Sequence, residues 1–411
     1  MARRRRQTVW LGSERIGEVT SHSRSAIAFE YDEEILQRMP FNVPLLSCSL
    51  PVMPGRCDAR AFMGGLLPEG DHLRMLAQLA RCLPDDVFAL LDAFGQDIAG
   101  AAVIGETVAR GPVAAAVPYT ATTLADEVAG LTDRPLALYE DSELSIAGLQ
   151  NKMLLVALPD GGWARPVRGF PSTHILKLDD RAHPGLVHAE HTCLEIAKAA
   201  GIPAAESHIV EFAGVEAIIV KRFDRVSTDD DRPVRVHQED VCQALGVNVE
   251  SARGQAKYES HGGPSLRQVA GLLAAWAVDS EAELARLLEQ VVFTVAIANA
   301  AAHGKNVSFF HRVPEHISLC PMYDTVPTGL WPSLRSRAAM SVGAVVDVPA
   351  ITGVDMVNEA GRWGLRERLG KALVMDCLDR IVAASHDMVN VGELPTAQFV
   401  NANARKLAAS V

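Results

Sequence analysis

Between Glu281 and Ala298 the chain carries a helix-period segment whose last turns, Val291-Val292-Phe293-Thr294-Val295-Ala296-Ile297-Ala298, are apolar on almost every side. A helix without a polar face must be enclosed by other elements, so this run requires a helical lobe large enough to surround it. Directly after it stand Asn299, His303, Lys305 and Asn306. Polar groups delivered straight out of a core usually serve a site. A lone histidine there would read as a core residue with satisfied hydrogen bonds, but His303 has polar company.

The helical lobe is visible around that segment. Beyond Asp240 the period is helical over Leu266 to Ala277, Asp355 to Trp363, Lys371 to Ala384 and Thr396 to Ala408,. Before it the pattern is strand-like. Lys152 to Leu158 is an apolar strand closed by the turn Pro159-Asp160-Gly161-Gly162, His174 to Lys177 is another, and Ser207 to Phe212 and Glu216 to Lys221 form a hairpin around Ala213-Gly214,. One helix, Val187 to Ala200, ends at Gly201 and Pro203,. Residues 7 to about 107 mix short β runs, such as Thr8 to Gly12 and Ala26 to Phe29, with helices after Asp71 and after Pro84. Gly111 to Pro118 suits a linker or an edge segment,. The expected organisation is an α+β, bilobal chain with an amino-terminal mixed β subdomain over residues 1–110, a β-rich lobe over 125–225 and a helical lobe over 235–411.

Composition removes several function classes. With 48% hydrophobic and 22% charged residues in 411, the chain can bury two or three cores,. Thirty-nine basic against 50 acidic residues leave a net charge of -11, which argues against a main surface that tracks nucleic-acid phosphates. Seven cysteines (48, 57, 82, 193, 242, 320 and 377) form no CxxC pair, so reduced thiols in a cytoplasmic protein are expected. Arg3 to Arg6 is followed by no apolar h-region, and no run approaches ~18 apolar residues,, so neither a signal peptide nor a membrane span is expected. Asp229 to Asp231 reads as a solvated loop.

The spacing of the polar set is that of phosphoryl transfer. Kinase catalytic loops place a base Asp five residues before a metal-binding Asn, with a second metal-binding Asp downstream. Asn306 and Asp324 fit the two metal positions, Asp324 ending an expected buried strand over Ile317 to Met322, but five residues before Asn306 stands Ala301. A methyl group accepts no proton. Lys177 closes an apolar strand, and Glu190 interrupts the apolar stripe of the 187–200 helix. They suggest each other as partners, as kinases use such a pair to hold the lysine against nucleotide phosphates; a snorkelling lysine and a solvated glutamate fit the spacing equally well. Ser145 to Lys152 leads into a strand, and Ala147 and Gly148 would let backbone approach phosphates closely. It is not a Walker A motif, and a plain β-turn is the other reading.

In order along the chain, Gly65 to Gly70, Phe94 to Gly100, Ser145 to Lys152, His174 to Lys177, Glu190-His191, Arg222-Phe223-Asp224-Arg225, His237 to Asp240, the 299–306 loop and Tyr323-Asp324 together resemble the HipA family of toxin–antitoxin serine/threonine kinases over nearly the whole length. The resemblance implies a protein-kinase-like fold and an ATP- and Mg²⁺-dependent activity. It places Lys177 on the α- and β-phosphates, Ser145, Ala147, Gly148 and Lys152 in the phosphate-covering loop, Lys221 and Phe223 at the adenine hinge, and Mg²⁺ on Asn306 and Asp324. Ser145 matches the family's autophosphorylated serine. The family pattern is Asp-x-His-x-Lys-Asn, so Ala301 takes the catalytic Asp position two residues before His303, which reads as an inactivating replacement. Implied partners are a HipB-type helix-turn-helix antitoxin, operator DNA mainly through it, and a protein substrate such as glutamyl-tRNA synthetase or another aminoacyl-tRNA synthetase. A natural pseudokinase serving as a nucleotide-binding repressor subunit, and a small-molecule or lipid kinase on the same fold, are the competing readings.

Overall fold

The computed structural model describes residues 5–24, 26–105, 115–131, 151–179, 182–228, 232–250, 254–313, 315–391 and 395–411. Two compact units form without following chain order: one gathers 1–180, 208–254 and 310–315, the other 181–207, 255–309 and 316–411.

In the first unit, β1 (Arg5–Leu11), β2 (Glu14–Ser23), β3 (Ala26–Tyr31), β4 (Cys57–Asp58) and β5 (Ala102–Ile104) form a sheet in the order β4-β3-β2-β1-β5. Period-2 alternation turns Val9, Val19, Ile27 and Phe29, and the register shift between Val9 and Trp10 turns Ile16, into one core with the buried faces of helices Arg60–Gly65, Gly70–Leu79 and Val87–Phe94,. The last of these starts where the Asp86 side chain accepts from the Ala89 N–H at 3.1 Å,.

The unit's second sheet comprises β6 (Ala115–Pro118), β7 (Lys152–Ala157), β8 (Trp163–Val167), β9 (His174–Leu178), β10 (Ser207–Phe212) and β11 (Val215–Lys221), in the order β10-β11-β9-β7-β8-β6. Ala213 at φ 49° and Gly214 at φ 84° make the tight β10–β11 turn, both in the left-handed region that such hairpins need. One face of the sheet, with Met153, Leu155, Leu176, Leu178, Ala217 and Ile219, packs on Leu124 and Val128 of the Ala121–Gly130 helix. On the other face Leu154 and Ile175 join the amino-terminal core. The stretch read as linker or edge becomes, over 115–118, the edge strand β6.

The second unit is mainly helical: Leu186–Ala199, Leu266–Trp276, Ser280–Ala296, Gly353–Arg362, Glu367–Val391 and Pro395–Ala408. Its centre is Ser280–Ala296, which buries Leu284, Leu287, Leu288, Val291, Val292, Phe293, Val295 and Ala296, as an apolar circumference dictates. Three expectations shift. The helix read from Lys371 to Ala384 runs over Glu367–Val391, the strand read from Ile317 to Met322 is His316–Leu319, and the Leu186–Ala199 helix groups with the second unit. The fold is α+β. Among the described residues, no helix is long and apolar enough to cross a membrane.

Candidate active site

Residue Ala298, at φ 51°, turns the chain out of the central helix, and residues 299–306 fold back through their own polar groups. The Ala301 N–H donates to Asn299 Oδ1 at 2.9 Å, the His303 N–H to the Ala301 carbonyl at 2.7 Å, and the Asn306 N–H to the His303 carbonyl at 2.8 Å. The Thr328 hydroxyl anchors the start of the loop, accepting from the Ala300 N–H at 2.8 Å and donating to the Ala298 carbonyl at 3.0 Å. Tyr323 anchors its end, donating to the Lys305 carbonyl at 2.8 Å with its oxygen 2.6 Å from Ser308 Oγ. The His303 ring lies edge-on to Tyr258, 5.3 Å between centroids, and the Arg335 guanidinium covers the same Tyr258 ring at 4.1 Å. None of these contacts involves the side chain of residue 301.

Asn306 and Asp324, eighteen residues apart, are in direct contact, with Asn306 Nδ2 donating to Asp324 Oδ2 at 2.6 Å. Asp324 does not end a strand. It sits five residues beyond Leu319, at φ 55°, a left-handed conformation that Asp adopts more readily than most non-glycine residues. The amide nitrogen faces the carboxylate here, while Asn306 Oδ1 accepts from the His303 N–H at 3.3 Å; a carboxylate and an amide carbonyl are the hard oxygen donors that Mg²⁺ takes, so the residue types fit that ion.

The lysines lie in the first unit. Register sets Lys152 on β7 directly opposite Lys177 on β9, with Ile218 of β11 on the other side of Lys177. Directly paired residues share a face, so both ammonium groups stand on the face that the Ala121–Gly130 helix leaves uncovered. Like charges in cross-strand pairs are unfavourable, and an anion on that face would relieve them. Lys221 pairs with His174 and is exposed; its register gives it the opposite face, so the structure does not group it with Lys152 and Lys177. Glu190 is 1% exposed on the Leu186–Ala199 helix, which excludes the solvated alternative. Ser145, Ala147 and Gly148, like Asp229 to Asp231, lie outside the described residues.

Phe223 occupies a segment that is fixed from both sides. Its ring meets Phe310 edge-on at 5.6 Å. Its neighbours Arg222, Asp224 and Arg225 are buried against the loop after Phe94. Asp97 accepts from Arg225 at 3.0 Å and from the Ser172 N–H at 3.0 Å, Asp224 Oδ2 accepts from the Gly100 N–H at 2.7 Å, and Arg222 and Arg225 both donate to the Ile98 carbonyl, at 3.0 and 2.8 Å. Burial by itself would raise the Asp224 carboxyl, but Arg222, Arg225 and the Gly100 N–H outweigh it and hold the group far below the usual carboxylate range,. Burial pushes Arg235, 3.6 Å from Asp97, down to about 10. The sequence reading assigned no role to this cluster, although Arg222-Phe223-Asp224-Arg225 and Phe94 to Gly100, its two halves, were both marked.

Comparison with known proteins agrees with this arrangement along the chain. A HipA-like C-terminal domain matches residues 144–385 and a HipA N-terminal domain residues 7–104. The Y4mE protein of Sinorhizobium fredii is 35% identical over 349 residues, covering 82% of this chain and 80% of its own. The serine/threonine-protein kinase toxin HipA of Shewanella oneidensis is 31% identical over 316 residues, covering 75% and 72%. The solved complex of the Shewanella oneidensis HipA, HipB and operator DNA contains a chain that superposes with a TM-score of 0.82 at 27% identity, over 98% of this chain and 96% of that one. From its amino-terminal sheet to its helical unit, this chain belongs to the HipA family.

Proposed function

We propose that the chain is the kinase-type toxin of a toxin–antitoxin pair, an ATP- and Mg²⁺-dependent serine/threonine phosphotransferase frame whose chemical step is disabled at Ala301. The observation that carries this reading is the Asn306–Asp324 contact at 2.6 Å, made across a loop with kinase spacing and with Asp324 in a left-handed conformation. Bound Mg²⁺ would neutralise phosphate charge and align the γ-phosphoryl group. Asn306 and Asp324 would hold it, Lys177 and Lys152 would take the α- and β-phosphates, and Phe223 would lie at the adenine. The Ser145 to Gly148 loop would cover the phosphates. His303, packed on Tyr258, would keep the loop in register. No group at position 301 can take the proton from a substrate hydroxyl, and loss of such a base costs ~10²–10⁴-fold in rate.

The proposed partner is a HipB-type helix-turn-helix antitoxin that carries the acidic chain to operator DNA, as in the Shewanella oneidensis complex. The proposed substrate is a translation protein, glutamyl-tRNA synthetase or another aminoacyl-tRNA synthetase, in the cytoplasm. Calorimetry with Mg·ATP and labelled-ATP incubation with a cell lysate test the reading together. The chain should bind nucleotide without transferring phosphate, and Ala301→Asp should restore transfer. Failure to bind at millimolar nucleotide, or equal labelling by the two chains, would overturn it. Ala301 itself favours the second reading, a pseudokinase corepressor, in which nucleotide would change operator affinity of the antitoxin complex while Ala301→Asp stays inert.

A further inference from the structure

Away from the nucleotide residues, three ligand-type side chains of the first unit converge: Cys48, Glu239 and His311, whose Sγ, carboxylate oxygen and ring nitrogen all lie within 4.8 Å of one another. Glu239 and His311 are buried, and Cys48 is half-buried, which leaves an entry side. His311 Nδ1 is 2.6 Å from the Pro44 carbonyl and Nε2 is 3.0 Å from Glu239 Oε1. Both neighbours are acceptors, while a neutral imidazole carries one N–H. The space between Nε2 and Oε1 therefore has to hold a second proton or a cation. Outer hydrogen bonds already orient the groups: Ser47 Oγ donates to Glu239 Oε2 at 2.5 Å and the Cys48 N–H to Oε1 at 2.8 Å. A carbonyl on the far nitrogen of a histidine and hydroxyls on a carboxylate are the usual outer contacts of metal ligands. The other titratable groups packed here are committed elsewhere. Tyr31 donates to the Leu50 carbonyl at 2.7 Å, and His237, pushed down to about 4 by burial and by His311, donates from Nε2 to the Leu46 carbonyl at 2.7 Å.

We propose that Cys48, Glu239 and His311 bind a zinc-type divalent cation, with the thiolate, a carboxylate oxygen and Nε2 as ligands and water in the fourth position. Ligands about 2.0–2.3 Å from a tetrahedral ion stand about 3.3–3.7 Å apart, so the 3.0 Å gap between Nε2 and Oε1 would open by a few tenths of an ångström and the gaps to Sγ, within 4.8 Å, would close by about one at most. Thiolate and imidazole select zinc-type ions over Mg²⁺, which keeps this site chemically separate from Asn306 and Asp324. Binding exchanges two protons, one from the Cys48 thiol and one from the His311–Glu239 pair, for one M²⁺; the site is neutral before and after. Without the ion, burial and the charge of Glu239 push the thiol up. The bound ion would tie residues 44–48, in the HipA N-terminal domain, to 239 and 311 of the C-terminal domain.

The test uses the full chain, stripped with a chelator and titrated with cobalt(II). One equivalent should give a thiolate-to-cobalt charge-transfer band. Calorimetry in buffers of differing ionisation enthalpy should show protons released on binding, as thiolate ligation requires. Cys48→Ser should abolish the band and Cys193→Ser should keep it. No band in the unmodified chain means that a proton alone fills the gap and overturns the proposal, as does a band that survives Cys48→Ser. The first of these readouts does not depend on any variant folding.

Discussion

Replacing Asp97 by Asn leaves the shape of the buried cluster and removes one of its two negative charges. The wild-type cluster sets Arg222, Arg225 and Arg235 against Asp97 and Asp224, with Asp97 1% exposed and 3.0, 3.6 and 3.9 Å from Arg225, Arg235 and Arg222. After the substitution three guanidinium groups share one carboxylate out of reach of water. Breaking a buried pair on one side costs about 3–5 kcal/mol; the Asn oxygen can still accept from the Ser172 N–H, so the lower end, ~3 kcal/mol, applies. At about 2–4 °C per kcal/mol, the thermal midpoint of the transition that includes the first unit should fall by roughly 6–12 °C. Asp85→Asn is the control, because its 3.4 Å pair with Arg24 is exposed on both sides and such pairs contribute ~0–1 kcal/mol. Differential scanning calorimetry checks both, and an Asp97→Asn midpoint within 2 °C of wild type would refute the reasoning. The same cluster gives a pH dependence. Asp224 is held low in the folded chain, so its stabilisation is present above the unfolded value near ~4 and is lost as pH falls below it. The midpoint gap between wild type and Asp224→Asn should be full at pH 7 and narrow below about pH 4.

Three further outcomes follow from the site. Lys152→Ala and Lys177→Ala should each weaken Mg·ATP binding about 10–100-fold, the worth of a charged hydrogen bond, while Lys221→Ala, on the other sheet face, should stay within about twofold by calorimetry; equal losses at all three would contradict the register. Tyr323→Phe removes the donor to the Lys305 carbonyl and the contact with Ser308 and should cost about 1–2 kcal/mol in urea unfolding, with weaker Mg·ATP binding as the loop end loosens. Ser145 should carry no phosphate in the present chain and gain one in Ala301→Asp, with activity falling as about -1.5 to -2 charge enters beside the nucleotide phosphates; peptide mass spectra showing full modification of the alanine chain, made in a host without an active copy, would sink this.

Where a single strand or helix carried the signal, the sequence was enough. The apolar circumference of 281–298 located the central helix, Ala213-Gly214 located the β10–β11 hairpin, and short apolar runs located β7 and β9. Relations between distant segments were not legible. The sequence matched Lys177 with Glu190 and put Lys152 in a phosphate-covering loop, and only the register between two strands with a further strand between them in sequence makes the two lysines a pair. Parity along β11, which sends Lys221 away from them, is visible in sequence only once that register is known. Asp97, Asp224 and three arginines would ordinarily be assigned to solvent; the available hint was an Arg-Phe-Asp-Arg run directly after the apolar strand β11. The left-handed backbone at Asp324 had no signal at all, since Asp tolerates that region without requiring it.

What happens at residue 301 depends on how the loop around it is held. Its backbone N–H and carbonyl are both used, by Asn299 and His303, and the loop ends are fixed by Thr328 and Tyr323. The backbone frame around residue 301 is therefore held by hydrogen bonds that do not use its side chain. The proposed metal pair, Asn306 and Asp324, is joined by its own 2.6 Å hydrogen bond, which does not use the side chain of residue 301. On the proposed reading, nucleotide binding and proton abstraction should therefore be separable. A frame that binds nucleotide but cannot turn it over is the state in which nucleotide can act as a lasting ligand, and the effect of Mg·ATP on operator affinity separates a disabled kinase, where it should be small, from a corepressor, where it should be large.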